Sequence, residues 1–225
     1  MKNREDYAYA VGRVRALETG LIPPAIFCSA IAAGSLTEAL NILSEAAREE
    51  AIKKIKNSQD LELLLKERTF RSREIVARLL DDEELNSALF SLSDNPETVQ
   101  IKVDKVNLEF LRGLLRHMEN LKELSDSLRL NLKDKTASFF PTDYGRVARP
   151  AGEAKQKQAE NSWLLFEKLK TGFIADFLAA AKYVTFGPEP IISYYFARMN
   201  ETRLLRWVIL GKMNQVPNEL LLALT

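Results

Sequence analysis

Histidine and cysteine are nearly missing: the 225-residue chain holds one of each, His117 and Cys28. Zinc sites draw on several His or Cys ligands, so this scarcity excludes most zinc enzymes. A single cysteine permits no intrachain disulfide, which argues against a disulfide-stapled secreted module. Any Ser-His-Asp hydrolase would rest wholly on His117. An excess of one charge is lacking too. There are 32 Lys and Arg against 31 Asp and Glu, a formal net charge of +1, where a nucleic-acid binder usually shows a clear basic surplus. Long apolar runs are absent as well. Phe173 to Phe186 is broken by Asp176 and Lys182, and Leu204 to Leu210 by Arg206, far from the roughly 20 residues of a spanning helix. No uninterrupted apolar stretch follows the basic start Met1-Lys2-Asn3-Arg4, so no signal peptide is read there. A soluble, cytoplasmic chain is expected, with no membrane span of its own and no nucleic acid as partner. At 46% hydrophobic residues it is too apolar for disorder and long enough for a sizeable core.

What is present is helical periodicity, punctuated by only 9 Gly and 8 Pro. Tyr7, Ala10, Val11, Val14, Leu17 and Leu21 fall on one face of a first helix, stopped by Gly20 and Pro23-Pro24. A short apolar helix over about Ala25 to Ala33 follows, ended by Gly34. Ser35-Leu-Thr-Glu38 reads as a capping box and opens a helix carrying Leu36, Ala39, Leu40, Leu43 and Ala47 inward. Asn57-Ser58 interrupts the pattern, and Leu61, Leu64 and Leu65 resume it. The acids Asp81 to Glu84 suit the first turn of a helix bearing Leu85, Ala88, Leu89 and Leu92. Asn95-Pro96-Glu97 reads as another start. A longer helix is expected from about Val103 to Asp134, with Leu108, Leu111, Leu115, Met118, Leu121, Leu124, Leu128 and Leu132 as a bundle-type stripe.

Ser138 to Gly152 holds four of the seventeen Gly and Pro residues. It reads as a loop anchored by Phe139, Phe140 and Tyr144, functional or mobile in character. Helix should return by Lys155 and run to about Tyr183. Two further helices, about Ile191 to Ala197 and Glu201 to Met213, and a short start at Pro217-Asn218-Glu219 complete the chain. Strand content near zero is expected. Asn107 to Leu115 faintly echoes Glu201 to Ile209, with Leu111, Arg112 and Leu115 matching Leu205, Arg206 and Ile209.

Motifs that carry chemistry are not found. Three residues before His117 stands Leu114, where a carboxylate-bridged di-metal bundle needs Glu, and no second His exists for a zinc-protease helix. His117 reads as an exposed or half-buried helix residue, and Cys28 as a small core residue. Gly187-Pro188-Glu189-Pro190 has neither the spacing nor the N–H groups of a phosphate loop. Catalytic, metal and cofactor sites are therefore all expected to be none. Arg129 to Lys157 carries seven Lys and Arg against three Asp and Glu. That excess fits an ordinary basic surface, or one meeting an acidic protein, anionic lipid or RNA. Trp163 and Trp207 lie in apolar helical runs and read as core or interface.

Two stretches are more specific. Asp6-Tyr-Ala-Tyr-Ala-Val-Gly-Arg-Val-Arg-Ala-Leu-Glu-Thr-Gly-Leu21 resembles the opening of the C-type subunit of archaeal/vacuolar-type rotary ATPases, the d-type subunit of eukaryotes. The matching positions are Tyr7, Tyr9, Arg13 and Arg15. Phe186-Gly-Pro-Glu-Pro-Ile-Ile-Ser-Tyr-Tyr195, then Glu201, Arg206 and Leu210-Gly-Lys-Met-Asn214, is similar to the family's closing succession, with Glu189, Tyr194, Arg206 and Lys212 as its marked residues. Asn107 to Arg112 is similar to an internal helix of the family.

The resemblance implies an all-α, multi-lobed helical bundle, funnel- or socket-like. The usual members are longer and three-lobed, so about two packed lobes are expected across 1–225, changing near 138–152. The first helix is a candidate to pack on the C-terminal helices. The implied role is non-catalytic: a central-stalk subunit of a proton- or sodium-translocating ATPase or ATP synthase. It would couple the rotor subunits of the stalk to the membrane proteolipid ring and lie peripheral to the membrane through its complex. Tyr7, Tyr9, Arg13, Arg15, Glu189, Tyr194, Arg206 and Lys212 would then hold helices together or touch partners. A helical scaffold or adaptor unrelated to rotary ATPases is the alternative reading.

Overall fold

The computed structural model describes residues 3–94, 106, 108–129, 144–156 and 162–222. Among them there is helix and no strand, so the fold is all-α. A 3-10 turn, Arg4–Tyr7, leads into α1 (Ala8–Glu18). Next come α2 (Pro24–Ala32), α3 (Leu36–Ala47), a 3-10 turn at Ile52–Lys54 and α4 (Ser58–Leu80). Then follow α5 (Glu83–Asp94), α6 (Glu109–Arg129), α7 (Gly145–Gln156) and α8 (Ser162–Ala179). The chain finishes with α9 (Glu189–Met213) and α10 (Asn218–Leu222).

The helix starts follow local hydrogen bonding. Ser35 Oγ accepts from Glu38 N–H, but the Glu38 carboxylate reaches past Ser35 to the Gly34 N–H. Asn57, read as a break, is the cap of α4: its Oδ1 accepts from Asp60 N–H while Asp60 accepts from Lys56 N–H. Two helices end without glycine, on Arg48 (φ 54°) and Asp81 (φ 47°), both in the left-handed region.

The chain divides into two compact units, one made of Met1–Asp82 with Tyr183–Ala223, the other of Glu83–Lys182. In the first, α9 packs on α4, α1, α2 and α3, and α10 packs on α2 and α9. Its core joins Phe27, Ile31, Leu40, Leu43, Ile52, Leu61 and Leu65 to Leu205, Val208, Ile209 and Leu221. Each such buried side chain stabilises the fold by about 1.5–3 kcal/mol. In the second unit α8 packs on α6 and α7, around Leu121, Leu124, Leu128, Tyr144, Val147, Phe166 and Phe173. Phe110 and Phe177 stack at 5.0 Å between centroids. A Cβ on Gly113 would lie 3.3 Å from the Phe177 ring, so α6 and α8 approach closely there.

Several sequence expectations need correction. The C-terminal helices are one: α9 runs 25 residues without a break, because Met199 and Asn200 leave its hydrogen-bonding ladder intact. Part of the expected loop is helix, since α7 starts at Gly145 and carries Pro150 inside it. The helix expected over Lys155 to Tyr183 is instead α7's end, then α8 and a 3-10 turn at Ala180–Tyr183. Cys28 is exposed, not core, because α2 buries the face carrying Phe27, Ala30 and Ile31. The Asn95-Pro96-Glu97 start, Leu132, Phe139 and Phe140 lie outside the described residues. Of the basic residues in Arg129 to Lys157, Arg146 and Arg149 have described side chains; both are exposed, and Arg146 faces Asp176 at 3.5 Å.

Candidate functional site

All eight sequence-marked residues fall in the first unit, and the fold sorts them into buried ties and exposed charges. One tie closes the N-terminus onto the Gly-Pro-Glu turn. Arg4 donates through Nη1 to Glu189 Oε1 at 2.8 Å and through Nη2 to the Phe186 carbonyl at 2.9 Å. Gly187 is required in this turn. Its φ is +130°, and an added Cβ would come 2.2 Å from Glu189 Oε2 and 2.8 Å from Arg4 Nη2. Pro188 then starts α9 as its cap, its carbonyl accepting from Ile191 and Ile192 N–H. Glu189 is 7% exposed, and its second oxygen, Oε2, has no hydrogen-bond partner among the described residues. The Tyr7 hydroxyl is likewise buried without a hydrogen-bond partner among the described residues. Burial first, then the nearby Asp82, Asp6, Asp81 and Glu189 charges, push the Tyr7 phenol above its ordinary range.

A second tie is invisible as a group in the sequence. Arg68 of α4 donates Nη1 to Glu49 and Nη2 to Glu201, and Arg198 donates to the other Glu201 oxygen at 2.8 Å. Glu49 is delivered by the left-handed Arg48: its N–H bonds the Ser44 carbonyl, and Ser44 Oγ donates back to the Glu49 carbonyl. Burial raises the Glu201 carboxyl above the usual carboxylate range, against the pull of Arg198 and Arg68. Tyr194 is buried nearby and its phenol is raised, chiefly by burial. One signal for Arg68 is present in the sequence. It falls in phase with Leu61, Leu64, Leu65, Ser72 and Val76, an arginine on the buried stripe of α4.

The other marked residues sit nearer the surface. Arg206 pairs with Glu62 through both Nε and Nη2, across two half-exposed side chains. The Arg206 hydrogen bond holds the Glu62 carboxyl below its usual range. Lys212 Nζ donates to the Ala33 carbonyl at 2.8 Å and to Asn218 Oδ1 at 3.0 Å, fastening α9 to the end of α2. Arg15 pairs with Glu18 on its own helix. Tyr9 is 75% exposed and accepts from exposed Arg13 at 3.4 Å.

In the second unit His117 is half-buried, its Nδ1 2.6 Å from the Tyr144 hydroxyl, which also accepts from Asn120. Its ring meets Phe173 and Phe177 edge-on. In the first unit Trp207 donates to the Leu221 carbonyl, joining α9 to α10. Trp163, in the second, is partly exposed beside Phe166. Among the described residues no group of three or more His, Cys, Asp or Glu could hold a metal ion. No described helix is long and apolar enough to cross a membrane.

Charges that join helix to helix within an all-α body define a packed helical protein. The sequence model of the ATP synthase (C/AC39) subunit family matches residues 111–224, just over half of the 225-residue chain, and the chain belongs to that family of V/A-type ATPase subunits. Glu189, Tyr194, Arg206 and Lys212 lie within the matched segment, and Tyr7, Tyr9, Arg13 and Arg15 precede it. No curated protein and no solved structure matches the chain.

Proposed function

We propose that this chain is a non-catalytic member of the central stalk, a socket that couples the rotating stalk to the proteolipid ring of a proton- or sodium-translocating ATPase. Family membership is the observation that carries the reading. Its physical support is stiffness. A coupler must pass torque without yielding, and close-packed helices tied by buried ion pairs yield little. In the first unit, residues far apart in sequence are cross-tied at Arg4–Glu189, Arg68–Glu201 and Lys212–Ala33.

The marked residues then divide by burial. Tyr7, Glu189 and Tyr194 keep the body rigid. Tyr9, Arg13 and Arg206, on the surface, are the ones able to meet a partner, where mixed charges orient docking. The chain would work at the membrane face through its complex. The test is co-purification with the coiled-coil and small globular stalk proteins and with detergent-solubilised proteolipid ring. Retention of stalk and ring at about 1 µM is expected, an affinity of roughly 8 kcal/mol; loss of both at that concentration refutes the socket.

A further inference from the structure

The second unit contains the single histidine of the chain, and one hydrogen bond there depends on its protonation state. His117 Nδ1 lies 2.6 Å from the Tyr144 hydroxyl, and Asn120 Nδ2 donates to that same oxygen at 2.9 Å. A phenol oxygen that already accepts still has its own proton to give. Directed at Nδ1, that proton is accepted only by a neutral imidazole whose N–H is on Nε2. Phe173 and Phe177 meet the His117 ring at 5.2 and 4.7 Å between centroids and limit its rotation out of this line.

Tyr144 matters because of where it stands. It is 3% exposed, directly precedes α7, and stacks on Phe173 of α8 at 5.0 Å. Pro150 lies inside α7 and brings no N–H, so the first turns of that helix are one rung short of a full ladder. Their hold on α6 comes instead through the Tyr144 side chain.

We propose that His117 is a proton-operated latch: neutral, it takes the Tyr144 proton and fastens the start of α7 to α6, and protonated, it lets that start go. When Nδ1 gains a proton, Nδ1–H and the Asn120 amide both point donors at the phenol oxygen. The phenol proton must then turn away from His117, and the short bond is lost. Because the bond favours the neutral ring, it lowers the titration midpoint relative to the same ring without it. The contribution is complete above the unbonded midpoint and is lost as pH falls through the lowered one.

The charges around the site come in pairs of opposite sign. Arg146 of α7 stands 5.3 Å over the Phe173 ring but faces Asp176 of α8. Lys170 of α8 pairs with Glu167 on its own helix. On α6, exposed Arg116 and Glu119 lie on either side of His117 in sequence. The Tyr144 bond therefore sets the direction of the effect. None of this rests on the rotary reading.

A lone histidine makes the test direct. Full-length chain carrying ¹⁵N-histidine gives one imidazole to follow by NMR from about pH 5 to about pH 8. At the alkaline end the Nε2–H tautomer is expected. Tyr144→Phe, which keeps a ring stacked on Phe173, should raise the midpoint by about half to one pH unit. Hydrogen exchange of the α7 amides, corrected for its intrinsic pH dependence, should quicken about tenfold as pH falls through the wild-type midpoint. That step should vanish in His117→Gln, which cannot take up the proton. An Nδ1–H tautomer overturns the latch, as does a midpoint that stays or falls in Tyr144→Phe. Exchange in α7 that ignores the titration also overturns it, since Asn120 would then have turned its amide oxygen to the phenol. A step that survives in His117→Gln refutes it by assigning the response to another group.

Discussion

Arg68 and Glu201, 133 positions apart in the chain, are each only 4% exposed and are hydrogen-bonded to each other. Two charges this deep must satisfy one another, because leaving either alone in an apolar interior is expensive. Arg68 carries a second carboxylate, Glu49, and Glu201 a second guanidinium, Arg198. The centre of the first unit is therefore an alternating chain of charges running from the end of α3 through α4 to α9.

Removing one member should be costly. Arg68→Met takes the guanidinium from Glu49 and leaves Glu201 with Arg198 alone, and is expected to lower stability by up to about 3–5 kcal/mol, read as a fall in the urea midpoint. A variant with wild-type midpoint would mean that the network contributes no stability in solution.

The pH dependence of the same site has a definite sign. Burial raises the folded pKa of Glu201 above its unfolded value, so between the two values the native chain holds more proton than the unfolded one. Its contribution to stability is complete below the unfolded pKa and is lost as pH rises through the folded pKa. The wild-type urea midpoint should therefore slope downward with rising pH across that window, and Glu201→Gln, which has no proton to lose, should remove this part of the slope. An identical slope in both would assign it to another group.

Gly187→Ala tests the turn that precedes α9. Alanine strains at φ +130°, and its Cβ would occupy the place where Glu189 Oε2 sits. A loss of about 1–3 kcal/mol is expected for the backbone alone, with displacement of Glu189 adding to it. Thermal melting reads the change, and faster proteolysis ahead of Ala8 would report release of Arg4.

Arg206→Glu separates structure from partner contact. The pair with Glu62 is half-exposed, so its loss should shift stability by no more than about 1 kcal/mol. The Glu62 carboxyl, held low by Arg206, should titrate at higher pH in the variant, visible by carboxyl NMR. Its lowered folded pKa gives a small stabilisation present above the unfolded value and lost as pH falls through the folded one. If Arg206 meets the stalk, capture weakens in a variant that remains folded.

Local features of this fold are legible in the sequence and long-range ones are not. Ser35 and the stripe Leu111, Leu115, Leu121, Leu124 and Leu128 declare a cap and a buried face through closely spaced residues, and both are found as read. Cys28 misleads because composition predicts burial for cysteine while the helix phase set by Phe27 and Ile31 decides it. Asn200 looks like a boundary, yet a helix held just beyond it at Glu201 and Leu205 needs no special residue to continue. The family motifs at the two ends are visible as words, but not that Arg4 closes on Glu189, since no periodicity relates residues 185 positions apart. Arg68 is the long-range tie with a local trace, its phase on the apolar stripe.

The first unit is built from both ends of the chain around the intervening segment Glu83–Lys182. On the ribosome its first elements emerge while α9 is still a whole unit away from being made, leaving Leu61, Leu65 and the Arg68 guanidinium without the helix that covers them. The intervening unit can gather its own core in that interval, whereas the N-terminal helices must wait. Order of synthesis and order of completion thus differ: the earliest-made helices gain their full core only once α9 has been made, and until then their apolar faces are open to solvent.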